Sequence, residues 1–353
     1  MIGQSIYQTY KRYRTLQTHR ISALPIVILM PHSACNCKCV MCDIWKGNKN
    51  LKQLTGDDIK SLLSSLKSLG TKQIVMSGGE ALLNPNFFSL CQLLKRENLS
   101  ITLLSTGLTL KKNAENILAW VDELIVSLDG DQGTHDTIRN INGAYTRLKE
   151  GSQYLKSKNP SFRISARTVI HRLNFRQWPG IIDSAKQMGV DRISFLPADV
   201  SSHAFNREQL WTEEKQMDIA IHLNELSEFK TVLDEITTKY KQDIDSGFIA
   251  ESSEKLNRIF TYYCAIHNLC EFPYKKCNAP WVSAVIEADG MVRPCFFHPS
   301  IGNIRDHLLT DVLNGEKAME FRKQLNMDEN DTCKRCVCYL NLPARMNPAN
   351  PIK

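Results

Sequence analysis

The sequence predicts an α/β fold: a partial (β/α)6 TIM-like barrel with a small C-terminal domain made of a β-hairpin plus a helix. Three observations carry this. Short β-rich runs alternate with helical periodicity through the first two-thirds of the chain, and repeated βα units with hydrophobic strands argue for a parallel sheet covered by helices. Four unusual segments follow four of the strand candidates, where β/α barrels gather their functional loops. Near the C-terminus, 282–286 alternates, Ala288, Asp289 and Gly290 turn, and 291–293 returns, which is a hairpin pattern.

Residues 1–24 read as an N-terminal helix. Its Lys11, Arg12, Arg14 and Arg20 are interleaved with Tyr7, Tyr10 and Tyr13, a mixture that also suits single-stranded nucleic acid. The barrel takes 25–225, with strands at 25–30, 72–76, 101–105, 123–128, 163–169 and 192–196. Between the first two, Ile59, Leu62, Leu63, Leu66 and Leu69 share one helical face. Thr55 with Asp58 three residues on reads as the helix start, and Gly70 as its stop. Further helices fit 86–97, 112–120, 144–156 and 177–188. Residues 226–270 form a helical linker. The C-terminal domain takes 271–353, with a helix around 311–324.

The 353 residues have length for about two domains. A net charge of +7 suits an anionic ligand, and no run of like charges forms a tail. The early apolar run 23–31 falls short of the ~20 residues that span a bilayer and reads as a buried strand. No membrane association and no export signal are expected, and the protein is placed in the cytoplasm. Twelve cysteines in a reducing compartment point to metal ligation rather than disulfides.

The cysteines fall into two sets. Cys35, Cys39 and Cys42 are spaced Cys-x3-Cys-x2-Cys in CNCKCVMCDIW. Three thiolates can hold three irons of a [4Fe-4S] cube and leave the fourth iron open, although the spacing alone also allows zinc. Cys37 is at the wrong step and is left unligated. The later segments are MSGGEALLNP, with Ser77, Gly78, Gly79 and Glu80; STG, with Thr106; and SLDG, with Ser127 and Asp129, followed by HDTIR from His135 to Arg139. Glycine removes side chains where a ligand approaches the backbone. Ser127 and Asp129 suit ribose hydroxyls, or else a turn or helix cap. Arg167 on the fifth strand suits a carboxylate if it faces inward.

This ordered set resembles the radical S-adenosylmethionine (SAM) superfamily over roughly 25–200. The resemblance implies a [4Fe-4S] cluster on Cys35, Cys39 and Cys42 whose open iron is chelated by SAM, with Glu80 near the methionyl amino group. It implies further SAM contacts from Ser77, Gly78, Gly79, Thr106, Ser127, Asp129, Arg167 and, weakly, Asn174 and Leu196. One departure is Met41, where the family carries an aromatic residue just before the third cysteine.

The second set is Cys277, Cys295, Cys333 and Cys336, with Cys338 as the alternative to Cys336. It resembles the auxiliary-cluster domains called SPASM and their shortened Twitch form, which implies a second, closed [4Fe-4S] cluster; structural zinc uses the same thiolate groupings. His298 is read as a loop histidine and Cys91 as core. Cys264 and Cys270 are candidate hydrogen-atom donors, ligands or buried thiols. The resemblance implies reductive SAM cleavage and hydrogen abstraction. The expected outcome is dehydrogenation of a small polar metabolite such as an amino sugar or aminocyclitol, with the auxiliary cluster as electron acceptor. Modification of a ribosomally made peptide is the alternative. The expected partners are that substrate and an external electron donor of flavodoxin or ferredoxin type, with nucleic acid set aside.

Overall fold

The computed structural model describes residues 2–207 and 209–344, so 345–353 of the expected C-terminal domain lies outside the described residues. All six expected strands form: β1 (Ile26–Leu29), β2 (Gln73–Met76), β3 (Ser100–Ser105), β4 (Glu123–Ser127), β5 (Arg163–Ile170) and β6 (Arg192–Pro197). Each pairs in parallel with the next. Successive side chains on a strand alternate between faces. Val27, Ile74, Leu103, Val126, Ala166 and Ile193 pack with helix residues such as Leu62, Leu90, Leu148 and Ile181 in the main core. The opposite face carries Gln73, Ser127, Arg167 and Ser194 and lines the concave lumen. Arg167 therefore faces inward.

The strands β7 (Ser283–Ile286), β8 (Met291–Arg293) and β9 (Gly302–Asn303) confirm the hairpin but change its place. β7 pairs in parallel with β1, Ile26 opposite Ser283, and one nine-stranded sheet results, ordered β6-β5-β4-β3-β2-β1-β7-β8-β9. The expected auxiliary domain thus extends the barrel's own sheet. The pattern of β7 explains this, since all four residues are buried, as in a strand covered on both faces. Gly290 makes the turn at φ +85°.

The helix Gly56–Ser68 begins with a capping box between Thr55 and Asp58, a device worth about 1 kcal/mol. Arg305 also binds the Asp58 carboxylate, at 2.9 and 3.0 Å, which ties the C-terminal region to this helix. The expected helix around 311–324 is two, Leu309–Asn314 and Glu316–Gln324, because Gly315 between them is extended. The expected linker is barrel wall. Its helices Leu226–Lys239 and Ser253–Ile266 bury Phe229, Leu233, Ile259 and Tyr263 in the main core, and Ile249 bridges to Ile193 of β6. The N-terminal helix Ile2–Thr18 is docked. Lys11 Nζ donates to the Ser68 carbonyl at 2.8 Å, and Leu16 packs near Trp281.

One further feature governs the site. The segment after Cys338 lies against the inner face of β1 and β2. Asn278 pins it, accepting from Leu342 N at 2.9 Å and donating its own backbone N–H to the Leu340 carbonyl at 2.7 Å. Leu340 and Leu342 then pack with Ile26, Ile28, Val75 and Trp281 on the inner face. Among the described residues no helix is long and apolar enough to cross a membrane.

Candidate active site

The first cysteine loop leaves β1 and is held from three sides. His32 bridges to Gln53 and its Nδ1 accepts from Ala34 N. Asn48 brackets Cys35, accepting from its N and donating to its O, both at 2.9 Å. Lys38 N and Val40 N donate to the carbonyls of Arg139 and Ile138, at 3.1 Å each. Those carbonyls belong to the end of the helix Gln132–Arg139, which the sequence reading missed. The Cys37 thiol, buried, hydrogen-bonds to Cys35 and Cys39 and lowers the pKa of both. Cys39 falls to about 6, through Cys37 first and with help from Arg139, against burial. Burial pushes Cys42 up to about 12. A ligating thiol must be deprotonated, so a bound metal would overcome that rise at Cys42 itself.

Gly78 and Gly79 leave room for the chain's own backbone. A Cβ on Gly79 would stand 2.1 Å from the Ala34 carbonyl oxygen, and Gly78, at φ +108°, lies against Met30 and the His32 carbonyl. The preceding Ser77 donates its N–H to the Leu29 carbonyl. Glu80 is fully buried. Its carboxylate accepts from Thr106 N (2.7 Å), Thr106 Oγ1 (2.6 Å), Ser105 Oγ and Leu82 N. Thr106 thus holds the Glu80 carboxylate. Burial raises the Glu80 pKa, and these bonds oppose it. Among the described residues no ion pair reaches it, so the site suits an ammonium group.

Asp129 has a charged partner within the chain. Its carboxylate is fully buried and ion-paired with Arg139, whose guanidinium also donates to Cys39 Sγ at 3.5 Å. Burial works against the Arg139 charge; Asp129 outweighs it, and the pKa rises. Asn174, expected at an adenine contact, also ties the ends of β4 and β5 together. It donates to the carbonyls of Asp129 and Val169 and accepts from His171 N. His135 and His171, both buried, are driven down to about 3 by burial.

Ser127 and Arg167 sit opposite each other in the β4–β5 register, on the lumen face. Leu196, opposite Val169 on β6, is half-buried on the same face. Arg167 Nε donates to Ser194 Oγ at 3.2 Å. Glu251, unremarked in the sequence, accepts from Phe195 N at 3.0 Å, and burial raises it to about 7 against Phe195 and the nearby Arg167 and Arg192.

The second cysteine set lies toward the sheet end at which β1 begins, since Cys277 precedes β7 and Cys295 follows the antiparallel β8. Cys277, Cys295, Cys333, Cys336 and Cys338 feel one another's charge, and Arg167 acts on Cys338 from inside the lumen. Burial raises Cys295 to about 12 and Cys333 to about 11. Lys275 Nζ donates to the Cys336 and Lys334 carbonyls. His298 lies in a loop, as expected, but is buried there. It is 5 % exposed, with Nε2 at 3.3 Å from Cys333 Sγ. Cys264 is half-buried against the main core; Cys270 is exposed, with its thiol on the Thr261 carbonyl. Cys91 is core, as expected.

Residues 29–195 match the Radical SAM superfamily, and residues 277–337 match SPASM, an iron–sulfur cluster-binding domain. The chain is a radical SAM protein with a C-terminal SPASM domain. Fe-coproporphyrin III synthase of Methanosarcina barkeri is 24 % identical over 91 % of this chain and 84 % of its own length. AdoMet-dependent heme synthase of the same organism is 29 % identical over 44 % of this chain and 46 % of its own. The structure of Streptococcus suis SuiB bound to S-adenosylmethionine shares the fold. Its TM-score is 0.63 at 14 % identity, over 92 % of this chain and 75 % of that one.

The radical SAM domain implies a [4Fe-4S] cluster and SAM, and the SPASM domain implies further iron–sulfur ligation. The donor chemistry fits the first, and for the second the donors are Cys277, Cys295, Cys333 and Cys336, although among the described residues no three His, Cys, Asp or Glu side chains stand together as a formed metal site. Three thiols share one loop, Glu80 is a buried carboxylate without a cation, and Ser127 with Arg167 can take a carboxylate.

What the sequence reading of the radical SAM domain missed is the segment after β6. Asp199 and Arg207 form an ion pair whose side chains are 1 % and 0 % exposed. Arg207 reaches the Met41 carbonyl and stacks 3.9 Å over Trp211, whose Nε1 donates to Asp43, the residue after Cys42. Phe205 and Asn206 hold left-handed backbone, φ +62° and +59°. Phe205 packs on Phe296 and Phe297, just past Cys295. This segment bridges the radical SAM cysteine loop and the SPASM cysteines. The only sequence signal for it was Asp43 beside the third cysteine.

Proposed function

We propose that the protein cleaves SAM reductively and carries out a net oxidation of a small polar metabolite such as an amino sugar or aminocyclitol. The observation that carries this is the pair of cysteine sets in one chain, linked by the Asp199–Arg207 segment, which reaches the Met41 carbonyl on one side and packs Phe205 on Phe296 and Phe297 on the other. When bound, the first cluster with SAM supplies methionine and a 5′-deoxyadenosyl radical that takes a substrate hydrogen atom, and the second cluster supplies the acceptor for the remaining electron. Glu80 holds the amino group of SAM, while Ser127 and Arg167 hold its carboxylate. Glu251, poised near 7, accepts the proton the oxidised substrate sheds. Exposed Lys38, Lys46 and Lys49 around the first cysteine loop suit an acidic external electron donor.

A small polar metabolite is the first reading, supported by the polar side chains Gln73, Ser127, Arg167 and Ser194 on the inner strand face. A tetrapyrrole is the second reading, favoured by the relative that aligns over 91 % of the chain and is named Fe-coproporphyrin III synthase. The test is anaerobic incubation of reconstituted protein with dithionite and SAM, following 5′-deoxyadenosine, with coproporphyrin or an aminocyclitol added in turn. Expected are about eight irons per chain, if each of two cubes carries four, and stimulation by one substrate class. Cys295→Ala should keep 5′-deoxyadenosine formation and lose product. A colourless protein with stoichiometric zinc, or a folded Cys295→Ala variant that turns over normally, overturns the reading.

A further inference from the structure

We infer that Arg139 is a positioning residue that sets the reduction potential of the first cluster, held to that task by Asp129. This rests on the proposed [4Fe-4S] site at Cys35, Cys39 and Cys42. Arg139 ends the helix after β4, and its main chain already carries the cysteine loop through the carbonyls of Ile138 and Arg139. Its side chain turns the same way. The guanidinium is 8 % exposed, bonds Cys39 Sγ at 3.5 Å and pairs with the fully buried Asp129. The backbone clamp fixes where the loop stands, while the side chain brings a charge to a sulfur.

Hydrogen bonds to ligand sulfurs and net charge set the potential of an iron–sulfur cluster. Reduction adds one negative charge, so a donor with a positive charge at Cys39 favours the reduced form and raises the potential. Low polarity around the pair strengthens that effect. Asp129 works both ways. It aims the guanidinium, and its own negative charge holds back part of the rise. Two substitutions should therefore move the potential in opposite directions. Arg139→Gln removes the charge and lowers it. Asp129→Asn keeps a partner of the same shape, removes the opposing charge and raises it. Arg139→Lys keeps a charge without the two-armed geometry and falls between wild type and Arg139→Gln.

The experiment is a redox titration of the full-length, anaerobically reconstituted protein. It is followed by electron paramagnetic resonance of the signal that changes when SAM is added, with iron content measured beside it. Opposite shifts in Arg139→Gln and Asp129→Asn are expected. Unchanged potentials in both, at wild-type iron content, overturn the inference and leave the cluster assignment intact. If Arg139→Gln fails to load iron, Asp129→Asn decides: a higher potential supports the role, and an unchanged or lower one overturns it. If the unaltered protein gives no SAM-sensitive signal, the cluster assignment is refuted and this inference falls with it.

Discussion

Gly79→Ala is the smallest change that should disable the first site. The added methyl would sit 2.1 Å from the Ala34 carbonyl oxygen, 2.6 Å from the Ala34 carbonyl carbon and 3.1 Å from Cys35 N. All three are backbone atoms, so no rotamer relieves the clash. Carbon contacts need about 3.5 Å, so the Ala34–Cys35 peptide must retreat by roughly 1 Å. That peptide accepts the Glu80 N–H at 2.9 Å and carries the first thiolate. Overpacking of this kind costs about 1–3 kcal/mol, and the strained bond adds about 1. The larger effect is on geometry, since a shift of about 1 Å near the reacting groups can cost roughly 100-fold in rate. The assay is 5′-deoxyadenosine formation under dithionite, with iron content and thermal unfolding alongside. A roughly 100-fold loss is expected with the SPASM cluster retained. A variant that forms 5′-deoxyadenosine at the wild-type rate with full iron would refute the packing argument.

Three other outcomes follow from the same coordinates. Cys42→Ala should abolish SAM cleavage and leave the iron of the SPASM domain in place; 5′-deoxyadenosine at the normal rate would show that the triplet is not the site. Asp199→Ala strands Arg207 in a buried setting and should destabilise the protein by about 3–5 kcal/mol in a denaturant melt; a change under about 1 kcal/mol would contradict the burial of the pair. His171 titrates near 3 when folded and near 6.5 when unfolded, so the unfolded chain takes up protons that the folded one refuses between those values. Stability is whole above pH 6.5 and declines as pH falls toward 3. His171→Gln should therefore lose about 1.4 kcal/mol less than wild type between pH 7.5 and 5.5, and parallel pH profiles would count against the buried, neutral histidine.

The six barrel strands were legible because each is a short apolar run bounded by its own turn residues. The helix at Thr55 was legible because its cap, face and stop lie within one stretch of sequence. The parallel pairing of β7 with β1 was not, since nothing local in Ser283–Ile286 names a partner at the other end of the chain. The same limit explains the site. Glu80 stood out by its neighbours, but its capture by Thr106 depends on β2 and β3 lying side by side. The partner of Asp129 was hidden because a strand-end carboxylate is ambiguous until its neighbour is known; that neighbour, Arg139, comes from a helix the periodicity did not disclose. Arg207 and Trp211 lie in a segment without period, and only folding sets them against the cysteine loop.

The pairing of β7 with β1 also bears on how the protein is made. The ribosome delivers β1 early and β7 late, and the Ile21–Asn314 contact spans 293 positions. Such long-range closure is slow. Until it happens, one flank of the apolar run Ile26–Leu29 presents bare main-chain donors and acceptors, the kind of surface that recruits other chains. A nascent or truncated product lacking Ser283–Ile286 should therefore aggregate rather than persist as a free-standing barrel. Expression of the radical SAM half alone would call for a solubilising partner, or for the hairpin supplied in trans.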